Sequence, residues 1–167
     1  MKKENITSSP GQTKKLALEL IRKIIKKGPQ TRAFVIALKG DLGGGKTIFI
    51  QGLAKALGVK QKILSPTFNI FKKFQIPNSK FQTNSKSQNS KFKTFYHFDC
   101  YRIKKPKEIL DLGFKKIISN PKNILAIEWA EKIKKILPKN TLWINFKFIN
   151  KNSRLLTFAI INKITLF

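Results

Sequence analysis

Cysteine and histidine are nearly missing from this 167-residue chain, each occurring once. Cys100 alone cannot close an internal disulfide, so nothing in the sequence requires an oxidising compartment. One histidine and one cysteine are also too few soft ligands for a zinc site. Acids are scarce: eight Asp and Glu face 35 Lys and Arg, a formal net charge of +27. Arginine is scarce as well, with Arg22, Arg32, Arg102 and Arg154 the only four. No apolar run reaches bilayer-spanning length, and the Lys-rich start lacks the apolar stretch of a signal peptide. The expectation is one cytoplasmic domain over residues 1–167, with no membrane contact.

The positive charge invites a nucleic-acid reading, because clustered cations attract phosphates. Lysine, Ile, Asn and Phe are all abundant together, however, and the lysines are spread along the chain. That pattern reads as a chain-wide compositional bias rather than a dedicated binding stripe.

What stands out is Gly40-Asp41-Leu42-Gly43-Gly44-Gly45-Lys46-Thr47, which fits G-x-x-x-x-G-K-[ST] without a mismatch. Glycines let successive N–H groups point into one concavity that holds phosphate oxygens. Lys46 carries an ammonium to the β- and γ-phosphates, and the Thr47 hydroxyl is placed to ligate Mg²⁺. Context supports the match. Phe34 to Leu38 is an apolar run of buried-strand character, and Ile48, Leu53, Ala54 and Leu57 recur at helical spacing before Gly58. Strand, glycine loop and helix predict nucleotide phosphates at a helix N-terminus.

Before this motif, Ser9-Pro10-Gly11-Gln12 reads as a helix start, with Ser9 as N-cap and Gln12 at the capping-box position. Leu16, Leu20, Ile21 and Ile24 form its apolar face, and Gly28-Pro29 ends it. After the motif, Ile63 to Phe68 reads as a strand running into a turn at Ser65-Pro66-Thr67, either a nucleotide-sensing switch or an ordinary turn. Asn69 to Phe74 continues as an outer strand. Gln75 to Lys93 is mostly Asn, Ser, Lys, Gln and Thr, and is expected to be an exposed insertion.

Two later segments repeat one design, an apolar strand ending in an acid. Thr94 to Asp99 is the first and Asn123 to Glu128 the second, so Asp99 and Glu128 compete for the metal-holding role. His97 shares a face with Asp99 by the period of two, and is read as a packed, hydrogen-bonded residue in preference to a proton carrier. Cys100 is read as core. Arg102 is either a phosphate-neutralising finger or an ion-pair partner. Short helices are expected over Lys107–Leu112 and Lys132–Leu137. Leu142–Ile149 and Leu155–Ile160 are expected to form a hairpin, with Arg154 at a strand start.

The glycine loop, Ser65-Pro66-Thr67-Phe68, His97-Phe98-Asp99-x-Tyr101-Arg102 and Ile127-Glu128-Trp129-x-Glu131 occur in an order that resembles the TsaE (YjeE) family of small P-loop ATPases. The resemblance runs from about Thr13 to Arg154. It implies an α/β, P-loop NTPase-like three-layer sandwich, mostly parallel, with an antiparallel C-terminal hairpin. It implies an ATPase that assists formation of N6-threonylcarbamoyladenosine at position 37 of ANN-reading tRNAs. ATP and Mg²⁺ would be its cofactors, and a TsaD–TsaB pair its partner, with tRNA met through that pair. By resemblance, Gly43 to Thr47 cradle the phosphates with Asp41 and Leu42 beside them, and Thr47 and Glu128 hold Mg²⁺. Lys46 and Asp99 serve catalysis, and Thr13, Glu131 and Arg154 lie around the nucleotide. Ser65 and Thr67 belong to a switch, and Trp129 packs at the site or faces TsaD.

Three departures from the family pattern stand out. Ala130 replaces the usual proline and would loosen the loop after Glu128. Gly44 replaces the usual alanine, which only adds backbone freedom. The Gln75–Lys93 insertion is longer than usual. A small-molecule kinase is a rival reading, but its arginine-rich lid is missing. A nucleotide-dependent RNA-binding module is another, and it predicts steep salt dependence.

Overall fold

The computed structural model describes residues 2–65, 69–77 and 91–160. Seven strands form one sheet: β1 (Lys2–Thr7), β2 (Phe34–Gly40), β3 (Phe71–Gln75), β4 (Thr94–Asp99), β5 (Asn123–Glu128), β6 (Leu142–Phe148) and β7 (Arg154–Ile160). Their order across the sheet is β1-β7-β6-β2-β5-β4-β3. The four central strands, β6, β2, β5 and β4, run parallel, in keeping with the sheet that the family resemblance implied and with the buried-strand character of Phe34 to Leu38. Antiparallel pairs close both sides, β6–β7–β1 at one and β3–β4 at the other.

Period-two alternation sorts the side chains onto two faces. Phe34, Ile36 and Leu38 of β2 face one core cluster; Val35 and Ala37 face the other. Helices α1 (Pro10–Lys26) and α2 (Lys46–Ala56) cover the first face through Ala17, Leu20, Ile21, Ile24, Phe49, Ile50 and Leu53. Helices α3 (Pro106–Asp111) and α4 (Phe114–Ser119), with a 3-10 helix over Ala130–Ile136, cover the second. The three layers expected for this sheet are therefore present. Phe49 alone, packed edge-on to Phe146 with ring centroids 5.7 Å apart, contributes about 1.5–3 kcal/mol by burial.

Helix α1 starts where its capping signals predicted. Ser9 Oγ accepts from the Gln12 N–H at 3.2 Å, while Gln12 Oε1 accepts from the Ser8 N–H at 2.7 Å. The capping box thus reaches one residue further back than the sequence pattern implied. Strand β1 has no counterpart in the sequence reading, because Lys-Lys-Glu-Asn carries no apolar alternation and the strand is held by pairing with β7.

Two expectations change. Ile63 to Ser65 form no strand, and Pro66, Thr67 and Phe68 lie outside the described residues. The Gln75–Lys93 insertion is not exposed throughout: Gln75 is an exposed residue of β3, but Ile76 and Phe92, just inside the two ends, are buried in the core. The Ile76 N–H donates to Lys93 O at 3.0 Å, and Lys91 Nζ caps α1 through Ile24 O and Lys27 O. Residues 78–90 lie outside the described set.

Candidate functional site

The glycine loop leaves β2 at its carboxyl end and delivers the chain into α2. Gly40 has φ +119°, and a Cβ there would sit 2.0 Å from Phe146 O, so only glycine fits against β6. A Cβ on Gly44 would lie 2.9 Å from Asp41 O, so glycine relieves crowding here as well as adding freedom. Gly43 and Gly45 both hold positive φ. The Lys46, Thr47 and Ile48 N–H groups fall in the first turn of α2, where no intrahelical acceptor exists, and the helix dipole adds positive potential.

A cleft of about 480 Å³ opens beyond the carboxyl ends of β2, β4 and β5. Its walls are Leu42 to Ile48, Ser65, Asn69, Ile70, Asp99 to Ile103 (Cys100 excepted), Glu128 and Trp129. Asp99 and Glu128 are register partners across the β4–β5 ladder, so both acids enter from adjacent strand ends. The Thr47 hydroxyl donates to the Glu128 carboxylate, at 3.0 Å from Oε1 and 3.1 Å from Oε2. His97, wholly buried, meets Glu128 Oε1 through Nε2 at 2.9 Å, and its Nδ1 has no partner. Since Glu128 supplies an acceptor, the proton of that bond sits on Nε2. The packed, hydrogen-bonded reading of His97 therefore holds, although its partner is the site's own acid.

Asp99 is held at both oxygens. Ser65 Oγ donates to Oδ2, and the Tyr101 N–H donates to Oδ1 at 2.9 Å. Lys46 Nζ donates to Gly40 O at 2.8 Å and Asp41 O at 2.7 Å, and lies 4.0 Å from the Trp129 ring centroid. Burial lowers the Lys46 pKa, opposed by Glu128, Glu131, Asp41 and Asp99. Half of the chain's eight acids thus act on one lysine. Trp129 takes the left-handed conformation at φ 55°, the one non-glycine to do so among the described residues, and its ring lies 5.2 Å from that of Tyr101. Ala130 behind it is buried and opens the 3-10 helix, the turn being closed by the Lys132 N–H to Trp129 O at 3.2 Å.

The donor chemistry suits a hard divalent cation. No group of three or more His, Cys, Asp or Glu suited to a metal exists among the described residues. Mg²⁺ characteristically takes one or two protein oxygens and completes its shell with water and phosphate. Thr47 and Glu128 are such a pair.

The family model "Threonylcarbamoyl adenosine biosynthesis protein TsaE" matches residues 7–156. The chain belongs to the TsaE family. A protein of Rickettsia typhi named tRNA threonylcarbamoyladenosine biosynthesis protein TsaE is 37% identical over 122 residues, covering 72% of this chain and 74% of its own. The Bacillus subtilis protein of that name is 33% identical over 153 residues, covering 92% and 82%. The crystal structure of Bacillus subtilis YdiB superposes with a TM-score of 0.69 at 25% identity, over 97% of this chain and 87% of that one.

The remaining residues that the family resemblance singled out are less uniformly placed. Gly43 to Thr47, Leu42, Ser65, Asp99, Glu128 and Trp129 converge on the cleft. Asp41 sits at its margin, its Oδ2 3.5 Å from the Phe148 N–H. Arg154 reaches the loop from the hairpin, donating to Gly43 O at 3.3 Å and to Asn150 O at 2.7 Å. Glu131 is exposed on the 3-10 helix. Thr13 is buried and shares a hydrogen bond of 2.8 Å with Thr7 Oγ1, and it does not line the cleft. Thr67 lies outside the described residues. Arg102 lines the cleft with no carboxylate in ion-pair reach among the described residues, so its ion-pair reading finds no partner. Asn69, Ile70 and Ile103 line it too, and nothing in their sequence pattern marked them.

Proposed function

We propose that this chain is a Mg²⁺-dependent ATPase of the cytoplasm that assists N6-threonylcarbamoyladenosine formation at position 37 of ANN-reading tRNAs, together with a TsaD–TsaB pair. The observation that carries the reading is the meeting of Thr47, Glu128 and Asp99 under one glycine loop. Family membership supports the pathway, since relatives carry the name tRNA threonylcarbamoyladenosine biosynthesis protein.

The chain's own groups divide the work. The first-turn N–H groups of α2 and the Lys46 ammonium receive the β- and γ-phosphates, Lys46 leaving Gly40 O and Asp41 O to do so. Thr47 and Glu128 hold Mg²⁺, which when bound neutralises phosphate charge. Asp99, fixed by Ser65 and the Tyr101 N–H, orients the attacking water and accepts its proton. Arg102 adds positive charge from the open side of the cleft. Arg154 and Glu131 border the nucleotide, and Thr13 acts from behind through the contact of α1 with α2.

The test is ATP hydrolysis by the purified chain, alone and with a TsaD–TsaB pair, beside Lys46→Ala. Stimulation by the pair that Lys46→Ala lowers by about 100-fold or more is the expected result. Phosphate transfer to a small molecule instead would identify a kinase, and nucleotide binding with neither activity a binding module.

A further inference from the structure

Each of the four parallel strands is entered from a basic residue. Arg32 stands shortly before β2, Lys93 directly before β4, Lys122 directly before β5, and Lys139 shortly before β6. Parallel pairing brings all four to the same edge of the sheet. The other edge is where Asp99 and Glu128 end their strands and Asp41 follows β2. A chain-wide excess of lysine does not by itself sort the acids to one edge. Nor do the helix dipoles account for it, since Arg32 and Lys139 belong to no helix.

This edge is also concave. A cavity of about 550 Å³ is lined by Arg32, Lys135 and Lys139, with Ile118, Leu137 and Pro138 as an apolar wall. No carboxylate lines it, and none of the three cations has an ion-pair partner among the described residues. Converging unpaired cations suit phosphate oxygens, and the guanidinium of Arg32 can take two of them at once. The hollow is open to solvent, so an extended polyanion can run across it, with its phosphates at the three cations and its less polar parts against Ile118, Leu137 and Pro138.

We infer that this edge, centred on Arg32, Lys135 and Lys139, binds the phosphate backbone of RNA directly, on the side of the sheet away from the nucleotide cleft. The choice of RNA over another polyanion rests on the function proposed above; the site itself does not depend on ATP hydrolysis. ATP turnover at one edge and RNA contact at the other would leave both accessible together.

The experiment is fluorescence anisotropy of a labelled tRNA transcript with the full chain, without partner proteins, across a range of salt. Wild type is expected to bind with log affinity falling linearly against log salt. Arg32→Gln, Lys135→Gln and Lys139→Gln together are expected to reduce that slope by about 2 and the affinity by about tenfold or more near physiological salt. Lys15→Gln, Lys73→Gln and Lys107→Gln remove the same charge from exposed positions elsewhere, and are expected to change affinity less than about twofold. Equal losses in the two triple variants would overturn the inference, because charge would then act only as a sum. Absence of wild-type binding would overturn it too. So would tighter, edge-dependent binding to phosphatidylserine vesicles, which would make the edge a membrane surface. ATP turnover with the TsaD–TsaB pair, run in parallel, separates the two readings. The edge variant should keep it, whereas its absence in wild type would count against the proposed function and not against the RNA edge.

Discussion

His97 Nε2 donates to Glu128 Oε1 across 2.9 Å, and Glu128 in turn accepts the Thr47 hydroxyl. The three residues come from β4, β5 and the first turn of α2, so one carboxylate joins the sheet to the phosphate-binding helix. His97 is fully buried and Glu128 nearly so, which leaves the Glu128 carboxylate few alternative orientations. Partners that orient a metal-holding side chain are commonly worth about 10–100-fold in metal affinity. His97→Ala is therefore expected to raise the Mg²⁺ concentration needed for ATP binding by about tenfold, read by titration of a fluorescent ATP analogue. His97→Gln, which can still present a donor, should recover part of the loss. Unchanged Mg²⁺ dependence in His97→Ala would mean that Glu128 is oriented by Thr47 alone.

Asp99 and Glu128 sit side by side in register, yet their surroundings differ. Glu128 touches Thr47 and His97; Asp99 touches Ser65 and the Tyr101 N–H. Glu128→Ala should weaken Mg²⁺–ATP binding. Asp99→Ala should leave binding within about threefold and lower turnover by about 100-fold or more, the size expected for losing a general base. Equal losses of binding in both variants would refute that division of labour.

Gly40 offers a stability test that touches no phosphate ligand side chain. A Cβ at this position would meet Phe146 O at 2.0 Å, and φ +119° is hostile to any L side chain. Gly40→Ala should destabilise the fold by about 1–3 kcal/mol or more, seen as a lower urea midpoint, because both strain and backbone displacement follow. Gly43→Ala meets nothing within 4 Å and bears only the strain of φ +71°. It should therefore cost less than Gly40→Ala.

Much of the site was legible because its chemistry needs fixed residue types at fixed spacing. The glycine loop, the two acids at strand ends and the order of strand, loop and helix all carried over to the structure. What was not legible is three-dimensional in origin. Strand β1 has a sequence of surface character and exists through its ladder with β7. The bond from Thr13 to Thr7 depends on that strand, and no local pattern around Thr13 announces it. Helix α4 begins at Phe114 after Gly113 takes φ +79°, and the six-residue stretch was too short for its period to show. The burial of Ile76 and Phe92, just inside the ends of the insertion, was masked by the polar residues between them. Asn69, Ile70 and Ile103 reach the cleft from loops whose course no local pattern specifies.

Cys100 gives a prediction that depends on pH. Its thiol is fully buried, and burial, with the Asp99 charge next, pushes its pKa from 9.0 up to about 12. In the unfolded chain the thiol loses its proton near pH 9, while the folded chain retains it until about pH 12. The folded state then binds more protons than the unfolded state in that window, so stability falls as pH rises through it. Below pH 9 the thiol is neutral in both states and contributes no pH dependence. Cys100→Ala should accordingly show a shallower loss of stability between pH 9 and 11 than wild type, measured by urea unfolding at each pH. The same protonated, buried sulfur should resist iodoacetamide at pH 8 in the folded chain and react on unfolding. Rapid alkylation under native conditions would show that β4 and the turn after it open locally, and that Asp99 beside Cys100 is less firmly held than its two hydrogen bonds imply.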